Sequence, residues 1–230
     1  DNNEKDFTDK LSPVYQAISK TRSKLNKDKT LISFIGAPWT LLIYMLGLNK
    51  DSSANQGQAE KKDNTLILQI LNKYLSLHIK NQIDAGADIV QIFDSWSGLL
   101  EKQHLNKFCY EPNYKLVNFC RKKKIPVSCF PKGINENYKN FNNIVKPDGI
   151  NIDPTLEPNW CKKNLKNVVI QGGLDPKILL KSEKEITDAA TKYIETFRDI
   201  PYIFNLGHGL LPETDPDNVE KLIKHYRNFK

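Results

Sequence analysis

Polar side chains of the kinds found at catalytic and binding sites occur directly after short apolar segments of the chain. Such residues follow nearly every one of these segments: Asp94, Ser95, Lys132, Asp153, Asp175 and His208. A serine hydroxyl and an imidazole can both donate a hydrogen bond to a carboxylate, and an imidazole also exchanges protons near neutral pH. His208 lies between Gly207 and Gly209, which let the backbone bend and leave the ring accessible. We therefore predict a functional role for His208.

The segments that precede these residues have the length and the β-branched content of strands. The six predicted strands cover residues 31–34, 88–93, 126–130, 149–152, 168–171 and 202–206. Helical periodicity returns between most of them, and the predicted helices include residues 11–25, 66–83, 106–123 and 183–198. Strands that alternate with helices in this way form a parallel sheet that is covered by helices.

Six strands are two fewer than the eight of a closed barrel, so two architectures remain open. One is an open doubly wound sheet, and the other is a barrel that lacks about its first two βα units. In a barrel the carboxyl ends of all strands face one mouth, where the polar residues would converge. An open sheet commonly carries a glycine-rich phosphate loop, and the sequence contains neither GxGxxG nor GxxxxGK(S/T). We predict an α/β fold, an incomplete (β/α)8 TIM barrel that forms a single domain over residues 1–230.

The composition is that of a globular protein. Hydrophobic residues make up 39% of the chain and charged residues 27%, and no apolar run approaches the ~20 residues that span a bilayer. The net charge of +7 is spread over predicted helix faces, so we expect neither a nucleic-acid partner nor a membrane association. The four cysteines lack CxxC spacing and a paired histidine, which is typical of reduced thiols in the cytoplasm. Residues 49–65 are predicted to form an exposed loop or a weak helix, and His78 is predicted to be structural.

Five motifs at the predicted strand ends resemble, in order, those of the uroporphyrinogen decarboxylase family. Residues 36–45 read GAPWTLLIYM, and residues 90–98 read VQIFDSWSG. They are followed by FPKG at 130–133, QGGLDP at 171–176 and FNLGHG at 204–209. Five ordered motifs are far more specific than any one of them, and the resemblance extends from about the first helix to the carboxyl terminus.

The sequence departs from the family pattern in two ways. Gly173 stands where the family usually has Asn, which removes one side-chain amide and is expected to tune a loop. The family's arginine-bearing amino-terminal motif and an aspartate on an early strand have no counterpart in these residues. We therefore expect residues 1–230 alone to be inactive, and coproporphyrinogen formation to return when an amino-terminal segment is restored.

The resemblance implies a cofactor-free and metal-free carboxy-lyase that converts uroporphyrinogen III into coproporphyrinogen III in haem biosynthesis. It implies that Tyr44, Ser95 and His208 bind the substrate, and that they line one cavity because parallel strands deliver them to the same rim. The family's catalytic arginine and aspartate are not among these residues, so no catalytic residue is assigned. The resemblance further implies a cytoplasmic homodimer, and a supporting role for four residues: Phe93, Pro38, Trp39 and Gly207.

Two other functions remain open at this point. A zinc-dependent methyltransferase of the same barrel superfamily would need a histidine and two cysteines at strand ends, and Cys129 lies on a suitable strand. Val127 occupies the position two residues earlier, where such a site would place a histidine. The second alternative is a truncated, non-catalytic porphyrinogen-binding protein. At the level of single residues, Ser95 could instead cap a helix that begins at Trp96, and Tyr44 could be a packing residue.

Overall fold

A computed structural model describes residues 2–48 and 64–229 of the chain. The prediction for residues 49–65 therefore lies almost wholly outside the described residues. The chain divides into two compact units. The first unit comprises residues 1–134 and 143–148, and the second comprises residues 135–142 and 149–230.

The first unit contains three parallel strands with helices between them. Strand β1 pairs with β2, and β2 pairs with β3. Between β2 and the helix that follows, the chain forms two 3-10 turns and one π-helical turn, Ser97–Leu99, Lys102–His104 and Asn106–Tyr110. In chain order the strands and α-helices of this unit are α1 Asn2–Lys24, β1 Ile32–Gly36, α2 Pro38–Met45, α3 Thr65–Asp84, β2 Ile89–Asp94, α4 Glu111–Lys122 and β3 Val127–Pro131.

The second unit has the same alternation and again three parallel strands. Strand β4 pairs with β5, and β5 pairs with β6. Two 3-10 helices, Asn135–Asn137 and Pro176–Leu180, also belong to it. The other elements are α5 Tyr138–Val145, whose last residues belong to the first unit, β4 Gly149–Ile152, α6 Pro158–Asn164, β5 Val169–Gly172, α7 Glu183–Phe197, β6 Tyr202–Ile203 and α8 Pro216–Asn228.

The strands of the first unit have two different faces, because successive side chains of a strand point to opposite sides. Ile35, Ile92 and Cys129 share one face through the strand register, are almost fully buried, and point toward the helices. Phe93 lies on the opposite face, where its ring meets the rings of Phe34 at 6.0 Å and of Phe130 at 6.2 Å, both edge to face. This aromatic face is partly open, since 67% of Phe34 is exposed.

All six predicted strands are present, and most begin and end within two residues of their predicted limits. The last strand is an exception, because β6 ends at Ile203 instead of residue 206. Phe204 turns away to stack on Tyr226 of α8 at 4.5 Å, and Leu206 keeps only an isolated parallel bridge to Leu174. The α/β prediction is confirmed.

His78 has the structural role that its position in a helix predicts. Its ring lies 3.0 Å from the Tyr15 hydroxyl of α1 and 2.6 Å from the Gln82 amide nitrogen one turn later in α3. Burial lowers the pKa of His78, which favours the neutral ring. His78 thus joins two helices of the first unit. Within residues 2–48 and 64–229, none of the helices is both long and apolar enough to cross a bilayer.

Candidate active site

Helix α2 begins directly after β1 and is held against the end of β2. Pro38 occupies the first helical position, where its fixed φ favours the helix and its missing N–H leaves no unpaired donor. The backbone N–H of Ala37 donates to the carbonyl of Phe93 at 2.9 Å. Trp39 is fully buried, and its indole N–H donates to the carbonyl of Trp96 at 3.2 Å. The supporting residues Pro38 and Trp39 therefore fix the start of the helix that carries Tyr44.

Tyr44 lies on α2, the helix that follows β1, and Ser95 directly follows β2. Tyr44 is 57% exposed, and its ring meets the Trp96 ring edge to face at 6.0 Å. Ser95 is exposed and precedes Trp96 in the chain. The indole nitrogen of Trp96 is buried and has no hydrogen-bond acceptor among the described residues. Trp96 thus connects the two residues that are predicted to bind substrate. The sequence did not indicate this connection.

Replacing Trp39 by Phe is expected to lower the free energy of unfolding by about 2 kcal/mol, because the Trp96 carbonyl loses its donor and a gap opens beside Phe108. The Trp39 and Phe108 ring centres are 5.1 Å apart. Trp96→Phe is the matched control, since it removes an N–H that has no acceptor, and we expect it to cost about 1 kcal/mol or less. Urea unfolding followed by circular dichroism measures both. Equal losses in the two variants would contradict the assigned hydrogen bond.

Ser95 does not cap a helix, so that interpretation is wrong. The 3-10 turn Ser97–Leu99 begins after Trp96 and has no side-chain cap. Ser97 instead fixes the segment, because its hydroxyl lies 2.7 Å from the Asp94 carbonyl and 3.1 Å from the Lys132 carbonyl. The Ser95 hydroxyl is therefore not used to start a helix.

Asp94 is buried behind the end of β2, with 1% of its surface exposed. Its carboxylate accepts hydrogen bonds from the Thr40 hydroxyl at 2.8 Å and from the Asn113 amide at 2.9 Å. Burial raises the pKa of Asp94 to about 6, and the hydrogen bonds from Thr40 and Asn113 offset part of that rise. Asp94 therefore joins β2, α2 and α4, and faces the helices instead of the aromatic face.

Two glycines allow the loops after β2 and β3 to touch. A Cβ atom on Gly98 would lie 2.7 Å from the Cα and carbonyl carbon of Gly133, which is closer than side chains tolerate. Gly133 itself has a φ of +80°, a conformation that favours glycine. Both residues belong to the recognised motifs, but sequence reasoning did not connect them.

In the second unit, Gly173 fills a site that has no room for a larger residue. Its φ is +101°, and a Cβ atom would lie 2.7 Å from Cε1 of Tyr193 and 2.9 Å from Cδ1 of Ile152. The Tyr193 hydroxyl also donates to the Gly173 carbonyl at 2.6 Å. The departure from the family's Asn is therefore matched by the placement of Tyr193, which the sequence analysis did not foresee.

His208 is exposed in the segment that follows the Leu206 bridge. The backbone N–H of Gly207 donates to the Leu174 carbonyl at 2.8 Å. A Cβ atom on Gly207 would lie 2.8 Å from Cδ of Pro154, whereas one on Gly209 would meet nothing within 4 Å. Close packing against Pro154 therefore explains Gly207, and the two glycines that flank His208 are not equivalent.

Asp153 is buried at the end of β4 and takes part in local hydrogen bonds. Its carboxylate accepts from the Tyr138 hydroxyl at 3.1 Å and from the Thr155 backbone N–H at 3.0 Å. Asp175 likewise caps the 3-10 helix Pro176–Leu180 by accepting from the Lys177 backbone N–H at 2.9 Å. Both aspartates thus hold the backbone or side chains that follow the strands in place.

Tyr44 and Ser95 belong to the first unit and His208 belongs to the second. That these three side chains line one cavity therefore stays a prediction.

Cys129 does not have the setting that a zinc ligand at the strand ends requires. The register pairs it with Ile92, so its side chain shares the buried, helix-facing side of the sheet. Burial raises the pKa of its thiol, whereas a zinc ligand is a thiolate. Among residues 2–48 and 64–229, no group of three His, Cys, Asp or Glu side chains is arranged to hold a metal ion.

Parallel strands joined by helices, with glycine and polar motifs after the strands, define the class of α/β proteins. The fold is shared by a methyltransferase from Methanosarcina mazei, with a TM-score of 0.75 and 17% identity over 94% of this chain and 64% of that one. A putative vitamin-B12-independent methionine synthase from Listeria monocytogenes gives a TM-score of 0.62 at 15% identity, with 94% and 68% covered. These structures share the fold alone.

The family is defined by sequence. The chain matches the family model described as Uroporphyrinogen decarboxylase (URO-D) over residues 1–229, and it belongs to that family. It is 40% identical over 227 residues to the uroporphyrinogen decarboxylase of Orientia tsutsugamushi (strain Boryong), covering 96% of this chain and 66% of that protein. The corresponding protein of Rickettsia bellii (strain RML369-C) is 39% identical over 228 residues, with 96% and 67% covered. The chain thus spans about two thirds of the length of these relatives.

Proposed function

We propose that the protein containing this chain decarboxylates uroporphyrinogen III to coproporphyrinogen III. The observation that carries the proposal is the match to the family model over residues 1–229, which includes all five strand-end motifs. The named relatives at 39–40% identity support the same substrate. Because the chain spans 66% of the Orientia protein, the activity is proposed for the protein expressed from its complete reading frame.

Each decarboxylation converts one acetate side chain into a methyl group and releases CO2. The electron pair of the broken C–C bond moves into the pyrrole ring, which accepts it once a ring carbon is protonated. The methylene carbon left behind then takes up a proton to become the methyl group, and the ring carbon gives up the proton that it had gained. The protein must then hold a polyanionic substrate in register and stabilise the transient cation. No metal or organic cofactor takes part in this scheme.

In this proposal Tyr44, Ser95 and His208 bind substrate carboxylates or pyrrole groups through hydrogen bonds. Tyr44 and Ser95 are exposed in the first unit, and His208 is exposed in the second. Phe93 lies two residues before Ser95 in the chain, and its ring belongs to the aromatic face of the first unit. Pro38, Trp39 and Gly207 support these groups through the packing described above.

Incubation of the protein from the complete reading frame with uroporphyrinogen III under reducing conditions tests the proposal. After oxidation to porphyrins, chromatography should show successive loss of carboxyl groups and accumulation of coproporphyrin. Binding without turnover would favour the non-catalytic alternative. Stoichiometric zinc bound by Cys129, with methyl transfer to a thiol and no CO2 release, would favour the methyltransferase. Either result would overturn the proposed activity.

Ser95→Ala and His208→Gln are each expected to lower kcat/KM by about tenfold or more without abolishing turnover. A hydrogen bond to a charged group is worth about 1.5–3 kcal/mol, which corresponds to that range. Tyr44→Phe should act in the same direction, and Tyr114→Phe, a 42% exposed tyrosine on α4, is its matched control. Steady-state kinetics of the four variants provide the measurement. Unchanged kinetics for Ser95→Ala and His208→Gln would remove both residues from the substrate site.

The proposal includes a cytoplasmic location and a homodimer. The cysteines Cys109, Cys120, Cys129 and Cys161 are all buried free thiols, which supports a reducing compartment. The homodimer rests on the family resemblance alone. Sedimentation of the protein from the complete reading frame should give twice the monomer mass, and a monomer at assay concentrations would refute this part.

A further inference from the structure

The Asp94 side chain cannot reach a ligand on the aromatic face of the first unit, although it directly precedes Ser95. Asp94 follows Phe93 in β2, so the two side chains point to opposite sides of the sheet. Its two carboxylate oxygens are occupied by the Thr40 hydroxyl and the Asn113 amide, and the residue is 1% exposed. Any influence of Asp94 on the reaction must therefore pass through its neighbours.

Thr40 connects Asp94 to both exposed residues of this site. It precedes Tyr44 by one helical turn of α2, so both side chains lie on the same side of the helix. Its oxygen also accepts a hydrogen bond from the backbone N–H of Trp96 at 3.3 Å. Trp96 follows Ser95, and its ring contacts Tyr44 at 6.0 Å. The contacts therefore form a closed loop that runs from Thr40 to Trp96, from Trp96 to Tyr44, and back along α2 to Thr40, and Asp94 is attached to this loop through Thr40.

The hydrogen bonds of this loop favour the ionised form of Asp94, whereas its burial favours the neutral form. As a carboxylate it accepts from Thr40 on one oxygen and from Asn113 on the other, whereas an added proton would weaken the oxygen that carries it as an acceptor. In the described part of the chain, the other ionisable groups that act on or respond to Asp94 are the thiol of Cys109, which hydrogen-bonds to it, and that of Cys129, and burial raises the pKa of both thiols. Since burial also raises the pKa of Asp94 to about 6, the loop is expected to loosen just below neutral pH.

We propose that Asp94 is a positioning residue that sets the placement of Tyr44 and Ser95 through Thr40 and Trp96. The proposal rests on the proposed decarboxylation only for its kinetic consequence. The geometric part concerns the loop itself and can be measured without substrate.

Two substitutions of Thr40 separate positioning from packing. Thr40→Val keeps the shape and removes the hydroxyl, so kcat/KM should fall about tenfold. Thr40→Ser keeps the hydroxyl and loses only a methyl group, so its activity should stay within about threefold of the unmodified protein. The reverse order, with Thr40→Val active and Thr40→Ser impaired, would mean that Thr40 acts by packing and would overturn the proposal.

A spectroscopic measurement tests the geometry independently of activity. The Trp96 indole N–H resonance, assigned by its loss in Trp96→Phe, should shift with pH with a midpoint near 6 and should not do so in Asp94→Asn. A resonance that does not respond to pH in the unmodified protein would refute the positioning role. If the protein does not decarboxylate uroporphyrinogen at all, the proposed function is wrong. The pH response of this resonance then still shows whether Asp94 controls the position of Trp96.

The pH dependence of kcat/KM links the kinetic test to the spectroscopic test. The pH at which kcat/KM falls to half on the acid side should coincide with the midpoint of the Trp96 resonance shift. In Asp94→Asn, kcat/KM should depend less on pH in this range. An acid limb unchanged by Asp94→Asn would contradict the proposed link to the reaction.

Discussion

Gly207→Ala is expected to lower the free energy of unfolding by about 2–3 kcal/mol, and Gly209→Ala to leave it nearly unchanged. The added methyl of Gly207→Ala would lie 2.8 Å from Cδ and 2.9 Å from Cγ of Pro154, inside normal contact distance. A proline ring cannot rotate away, so the segment that carries His208 must shift. At Gly209 the methyl would meet no atom within 4 Å.

Gly207→Ala and Gly209→Ala should also differ in decarboxylase activity. A displacement of a substrate-binding group by about 1 Å can cost on the order of 100-fold in rate, so Gly207→Ala should lose far more activity than Gly209→Ala. Urea unfolding and decarboxylation kinetics of both variants measure the effect. Equal behaviour of the two variants would show that contact with Pro154 does not place His208.

The second large effect is a pH-dependent destabilisation that originates at Asp94. Its pKa rises from 3.8 to about 6 on folding, so between these values the folded state binds more protons than the unfolded state. The contribution of Asp94 is therefore most favourable near pH 4, and it is lost as the pH rises through 6. A difference of about two pKa units corresponds to roughly 3 kcal/mol.

The comparison with Asp94→Asn isolates this contribution, because the other titrating groups are common to both proteins. The unfolding free energy of the unmodified protein relative to Asp94→Asn should fall by about 3 kcal/mol between pH 4 and pH 7. Denaturant titrations at several pH values provide the measurement. A difference that is constant over this range would show that Asp94 has the same pKa in the folded and unfolded states.

The sequence predicted the strands well because buried parallel strands are short and rich in β-branched residues. It failed at the end of β6, where Phe204 and Leu206 look like strand residues. The stacking of Phe204 on Tyr226 withdraws the chain from the sheet, and a contact with a residue so distant in sequence has no local signal.

At the site, the sequence placed Asp94 and Ser95 together but did not separate their roles. A signal was present, because Asp94 is in phase with the buried Val90 and Ile92, which assigns it to the helix-facing side. The contact between Gly98 and Gly133 carried no such signal. It depends on how two loops approach, which the spacing of residues within either loop does not encode.

The most direct test of the account is a structure of the protein from the complete reading frame with coproporphyrinogen bound. We predict that the side chains of Tyr44, Ser95 and His208 all lie within hydrogen-bonding distance of the same bound tetrapyrrole, with Asp94 behind them and out of contact. A tetrapyrrole bound elsewhere, or His208 on a different side of the molecule from Tyr44 and Ser95, would contradict the shared site.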